Sequence, residues 1–194
     1  MSPAGIVVAA LAGAAPQPAY PAEAVYAAFT DACADVADLD KASATLPGKG
    51  WEAFEPAPDS ETGQLLARGR RMTQEMMPGT RLRPMAAFRR TVAGEDLELV
   101  LSGVEQGKSW TNGCRVYDYR ETRTISLDFM EKKLGRKPAE QVARPGILEK
   151  AVWEPGYRPD HLSAELFHVP AGSPVIAMIG SSGICMVAQA TGEI

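Results

Sequence analysis

The sequence predicts an α+β fold: an antiparallel sheet of about six strands, with N-terminal helices and one central helix packed on it. Three patterns carry that expectation. Val25, Ala28, Phe29, Ala32, Cys33 and Val36 recur at spacings of three and four, which places them on one helical face. From Met85 to Glu121 the period changes to two, interrupted by turn residues at Gly94-Glu95-Asp96 and Gln106-Gly107-Lys108. Strand-like runs then return after one helical stretch. Helices segregated from antiparallel strands define the α+β class.

Taken in order, Pro21 opens the first helix, where its missing N–H costs nothing. A short helix from Asp38 to Leu46 ends at Pro47-Gly48-Lys49-Gly50. Trp51 to Glu55 reads as a short strand, and Pro56-Ala57-Pro58-Asp59 as a loop. Ser60 to Met77 is helical, with Leu65, Met72 and Met76 on one face, although Gly63 and Gly69 each weaken a helix by about 1 kcal/mol. Pro78-Gly79 stops it. Short links join the next three strands, so they form an antiparallel meander. Asn112-Gly113 falls inside the third of them and signals a type I′ turn or a bulge. Thr124 to Leu134 is the clearest helix. Thr124 or Ser126 caps its start, Leu127, Met130 and Leu134 form its stripe, and Gly135 occupies its C′ position. Residues 135–146 are polar and read as irregular. Ile147 to Trp153, Leu162 to Val169 and Pro174 to Ile179 read as strands, with Ile184 to Gln189 as a fourth.

Composition narrows the function. The chain has 194 residues and a net charge of −4. That size suits one domain, and the charge argues against a general nucleic-acid binder. Residues 4–15 form an apolar, Ala-rich run ending in Ala12-Gly13-Ala14, like the core and cleavage site of a secretory signal. The run is too short to span a bilayer. No basic residue precedes Lys41, which departs from a signal, and a loose Ala/Pro tail on a cytoplasmic protein is the alternative. The expected organisation is a signal-like or disordered segment over residues 1–20 and a single α+β domain over 21–194. The expected location is periplasmic or secreted.

Three cysteines, Cys33, Cys114 and Cys185, form no C-x-x-C pair, which excludes a thioredoxin-like motif. Cys33 lies on the inner stripe of the first helix and Cys114 on the strand it would cover. A Cys33–Cys114 disulfide is expected, with three separate thiols as the alternative. Phe29-Thr30-Asp31-Ala32-Cys33, Gly50-Trp51 and Cys114-Arg115-Val116-Tyr117 together resemble exported bacterial proteins of unknown function. The resemblance implies a secreted or periplasmic α+β domain with paired cysteines and carries no activity.

No catalytic motif is complete. His161 and His168 are the two histidines, and neither sits in a zinc-binding spacing. His168 in its apolar strand reads as structural, bonded to a nearby carbonyl. His161 follows Asp160 in a loop and is the candidate for a hydrolase-type base. Gly180-Ser181-Ser182-Gly183-Ile184 falls one residue short of a nucleophile elbow. No metal or cofactor is expected.

Residues 68–90 carry seven arginines against Glu75, while residues 1–63 carry nine acids against two lysines. Internal charge pairing accounts for this asymmetry. A sharper reading leaves Arg81 and Arg83 free for an anionic ligand and makes Arg89 or Arg90 a structural ion-pair partner, costly to remove. The function expected is a binding or interaction module, meeting an anionic ligand or a protein. The alternatives are a small hydrolase using His161 with Asp160, and a structural envelope component.

Overall fold

The computed structural model describes residues 18–194. The helices are α1 (Ala22–Ala32), α2 (Leu39–Thr45), α3 (Glu61–Met76), α4 (Leu127–Leu134) and the single turn α5 (Ile176–Ile179). The strands are β1 (Glu52–Ala53), β2 (Arg81–Leu82), β3 (Ala86–Val92), β4 (Glu95–Gln106) and β5 (Ser109–Tyr119), then β6 (Glu140–Arg144), β7 (Leu148–Trp153), β8 (Ser163–Val169) and β9 (Gly183–Glu193). They form one nine-stranded sheet, larger than the six strands expected, in the order β1-β3-β4-β5-β9-β8-β7-β6, with β2 also paired to β4. Every pairing is antiparallel. The meander β3-β4-β5 and the meander β6-β7-β8 are joined through the C-terminal strand β9, which runs between β5 and β8.

The alternation of side chains divides the sheet into two unlike faces. Phe88, Leu99, Val116, Met186 and Leu166 stand in register on one face. All are buried, in one cluster with Val25, Phe29, Ala32, Val36, Leu46 and Trp51 from the N-terminal segment and Met130 from α4. This is the core. The Cys33–Cys114 disulfide ties the end of α1 to the centre of β5. Gly103 permits the close approach of α2, because a Cβ there would lie 2.9 Å from a Leu39 methyl and 2.6 Å from Asn112 Oδ1.

Local signals explain the helix ends. The Asp38 and Ser126 side chains accept hydrogen bonds from Lys41 N and Phe129 N, capping α2 and α4. Gly135 ends α4 at φ 69°, in the left-handed region that glycine reaches without strain. Of the two caps expected for α4, Thr124 and Ser126, the structure selects Ser126.

Four local expectations are corrected. Asn112-Gly113 makes neither turn nor bulge and continues β5, paired with Gly103 and Ser102 on one side and Ala190 and Gln189 on the other. Residues 135–146, expected to be irregular, contain β6, an edge strand whose exposed side chains carry no alternation and whose place is set by backbone bonding to β7. Pro174 to Ile179, expected as a strand, contains the helical turn α5, since a short apolar run has no decisive period. His168, expected to bond a carbonyl, is buried with neither ring nitrogen bonded among the described residues.

The signal-like run, residues 4–15, lies outside the described residues. Tyr20, the last residue of the segment expected to lie outside the domain, belongs to the core cluster, and its hydroxyl donates to Asp118 Oδ2 at 2.9 Å. No described helix is long and apolar enough to cross a membrane. The disulfide, with both its cysteines fully buried, is compatible with an exported protein.

Candidate functional site

The second face of the sheet is covered differently. Val100, Ser102 and Val104 of β4, Gly113, Arg115 and Tyr117 of β5, Cys185, Val187 and Gln189 of β9, and Glu165 and Phe167 of β8 share it by register. Its cover is α3 with the short α5. Thr62 is the one buried residue of α3. Its hydroxyl donates to the Glu98 carboxylate, and the Tyr119 hydroxyl lies 2.6 Å from Thr62 Oγ1. Since Thr62 has one proton to give, Tyr119 donates to it.

The start of α3 is locally determined. Ser60 caps it by accepting from Gly63 N at 3.1 Å. Gly63 is required there, because a Cβ would lie 2.0 Å from the Ala57 carbonyl oxygen. That contact explains a glycine that weakens the helix by propensity alone. Midway along, Arg68 donates to the carbonyls of Ala177 and Ile176, at 3.1 and 3.4 Å, and so holds α5 against α3. Beyond Arg68, Met72 and Met76 are exposed.

A helix anchored at its start and middle leaves space between itself and the sheet. Two chambers fill that space, of about 310 and 230 Å³. They share Leu65, Arg115, Tyr117, Ile179 and Gln189, and therefore form one cleft. The larger chamber has Leu66, Met72, Leu82, Met85, Val100 and Met178 on its walls. The smaller is lined by Phe167, Val169, Cys185 and Val187, with Glu165 at its side. Methionine suits such walls because its unbranched, polarisable side chain adapts to irregular apolar shapes. Tyr117 and Tyr119 stack at 5.1 Å between ring centres.

Part of the cleft floor is buried, Tyr117 among it. Burial raises the Tyr117 hydroxyl well above the usual phenol range. Cys185 is the free thiol, and burial pushes it up to about 12, so it is a poor nucleophile near neutral pH. Arg115 lies where the chambers meet. Its Nη1 donates to Ser102 Oγ at 2.7 Å. The side chain lies over Gly113, where a Cβ would be 2.5 Å from Nη1.

The arginines singled out in the sequence lie elsewhere. Arg81 donates to Glu105 through Nε at 2.9 Å and through Nη2. Arg83 lies 3.8 Å from Glu105 and 3.8 Å from Asp40. Both therefore have acidic neighbours within the protein. Arg89 is paired with Glu52 at 2.9 Å, but both side chains are more than half exposed, which makes this a solvated pair. Arg90 carries its guanidinium over Gly50.

His161 is packed against the end of α1. Its Nε2 lies 3.4 Å from the Ala34 carbonyl and 4.0 Å from Asp160, and its ring meets Tyr157 edge-on. Desolvation lowers its pKa. No hydroxyl or thiol is bonded to it among the described residues. Glu95, Asp118 and Glu121 bring carboxylate oxygens within 4.8 Å of one another at the far end of β5. Arg123 already bonds two of them, at 2.7 Å to Glu95 and more closely to Glu121. Burial and the neighbouring acids raise Asp118 to about 6, whereas bonding to Arg123 lowers Glu121 to about 2.

Sequence reasoning found the helix that roofs the cleft but not the cleft. In the sequence Arg115 stands out only as part of the patch Cys114-Arg115-Val116-Tyr117. Period-two alternation could have grouped it with Tyr117, and nothing local could have shown that α3 crosses above it.

No protein-family model matches this chain, and no curated protein or solved structure matches it either.

Proposed function

We propose that this chain is an exported binding module that takes up a small, largely apolar molecule in the cleft between α3 and the sheet. The observation that carries the proposal is the cleft itself. A concave, mainly apolar space with a few polar groups on its floor is the usual form of a small-molecule site, and the larger chamber falls at the lower end of the size range of such sites. Its roof is held by few contacts, so a ligand can enter without disturbing the core. The disulfide and the signal-like run support export. Against a hydrolase, His161 lies fully buried in a different part of the molecule, and the cleft thiol is held protonated.

The test uses the full chain and N-phenylnaphthylamine, a neutral dye whose emission rises in apolar surroundings. The dye should bind saturably at one site per chain. Leu65→Trp, which fills the junction of the two chambers, should abolish that binding while leaving the thermal midpoint within a few degrees. Absence of saturable binding, or binding indifferent to Leu65→Trp, overturns the reading.

A further inference from the structure

The polar content of the cleft is not spread evenly, and its distribution selects a class of ligand. Two cations line the cleft: Arg68, which donates to the Ala177 and Ile176 carbonyls, and Arg115 on the floor where the chambers meet. Arg81, Arg83, Arg89, Arg120, Arg123 and Arg158 each have an acidic group within 4.0 Å. Arg115 has none among the described residues, and Ser102 Oγ is its one bonded partner. A guanidinium carries several N–H donors in a rigid fork, so most of these donors remain available.

The guanidinium also lies over a glycine. Gly113 precedes it by two positions on the same face of β5, and a Cβ at Gly113 would lie 2.5 Å from Nη1, so the guanidinium would have to shift from this position. A cation placed in low-dielectric surroundings without a counter-ion is unfavourable, and a bound anion relieves that cost. The acid in the cleft, Glu165, is occupied by Gln189 Nε2 at 2.9 Å and Ser163 Oγ at 3.2 Å, and does not reach Arg115.

Building on the cleft-binding reading, we infer that the ligand is an amphiphile with one singly charged carboxylate head, seated on the Arg115 guanidinium, and an apolar tail directed past Leu66 and Val100 toward Met72, Met85 and Met178. The planar fork of Arg115 matches the two oxygens of a carboxylate. A phosphate monoester fits less well. It brings close to two negative charges toward Arg115, with the Glu165 carboxylate lining the adjoining chamber, while Arg68, the other cation of the larger chamber, donates to the Ala177 and Ile176 carbonyls.

The experiment measures calorimetric binding of decanoate, decanol and decyl phosphate to the full wild-type chain, and then to Arg115→Gln. Wild type should bind decanoate roughly tenfold or more tightly than decanol, with decyl phosphate weaker than decanoate. Arg115→Gln should lose the preference for decanoate while still binding decanol. Equal affinity of wild type for decanoate and decanol overturns the inference and leaves the cleft reading standing. A decyl phosphate preference overturns the carboxylate assignment. If none of the three binds, the cleft reading itself fails, and this inference with it. The wild-type comparison needs no variant, so it decides the matter even if Arg115→Gln folds poorly. If Arg115→Gln folds and still prefers decanoate, Arg115 is not the anchor.

Discussion

The two faces of the sheet are built from the same strands and do opposite things. On one face, Phe29, Trp51, Leu99 and Met186 are each no more than 1% exposed, and a disulfide crosses from helix to strand. On the other, α3 buries a single residue over sixteen positions, and a cleft opens beneath it. The first arrangement buries large apolar side chains against one another and holds the molecule together. The second keeps volume open and keeps a cation, Arg115, with no acidic partner among the described residues. Under the proposed reading, the difference assigns stability to one face and binding to the other, so each should be open to perturbation with little effect on the other.

The largest expected effect comes from the bond on the packed face. Closing a loop with a sequence separation of 81 between Cys33 and Cys114 contributes about 4 kcal/mol in the chain-entropy account. Reduction, or Cys33→Ala with Cys114→Ala, should lower the urea midpoint accordingly. Thiol counting on the denatured, unreduced protein should find one free thiol, Cys185. A count of three contradicts the bond.

Truncation sharpens the comparison of faces. Phe29→Ala should destabilise by about 3–5 kcal/mol, since its ring is fully enclosed by the core. Leu66→Ala, in the half-buried wall of the cleft, should cost about 1 kcal/mol. Equal losses in denaturant titrations would show that α3 is part of the core.

At the end of β5 the effect depends on pH. The folded state raises Asp118 from 3.8 to about 6, so the fold favours its protonated form. Its contribution therefore declines as pH rises from about 3.8 through 6 and is flat above. Glu121 acts in the opposite sense, because a carboxylate held at about 2 stabilises above its ordinary 4.5 and loses that contribution as pH falls toward 2. Asp118→Asn keeps an acceptor for the Tyr20 hydroxyl and should raise the thermal midpoint at pH 7. It should also remove the decline between about 3.8 and 6, leaving the acid limb from Glu121. A profile unchanged by the substitution would place the slope elsewhere.

The smallest effects are expected for the solvated pairs. Arg81→Ala and Arg89→Ala remove ion pairs with mainly exposed arginines, and the thermal midpoint should scarcely move. Strong destabilisation by Arg89→Ala would restore the structural role that its position in the sequence suggested.

Much of the packed face was legible in advance. The stripe from Val25 to Val36, the alternation of β3, β4 and β5, the capped helix ending at Gly135 and the Cys33–Cys114 pairing were all readable, because each is a local period or follows from two adjacent ones. The polar edge strand β6 and the turn α5 were misread, since their conformations are set by backbone bonding to neighbours and not by side-chain pattern. The cleft was less legible still. The basic segment drew attention to Arg81 and Arg83, which lie against Glu105, while Arg115 looked like one ordinary residue of an alternating strand.

Local chemistry by itself determined the segregation of helices from strands, the meander and its turns, the ends of the capped helices and the inner faces of α1 and α4. Each depends on residues a few positions apart, within reach of one turn of helix or one pleat of strand. Only the tertiary structure decided that β9 runs between β5 and β8, that Gly63 lets α3 start hard against the Ala57 carbonyl, and that Arg115 lies without an acid beneath that helix. Those outcomes depend on which distant segments meet, and burial and charge pairing between segments are properties of the packed chain that no short stretch of sequence carries.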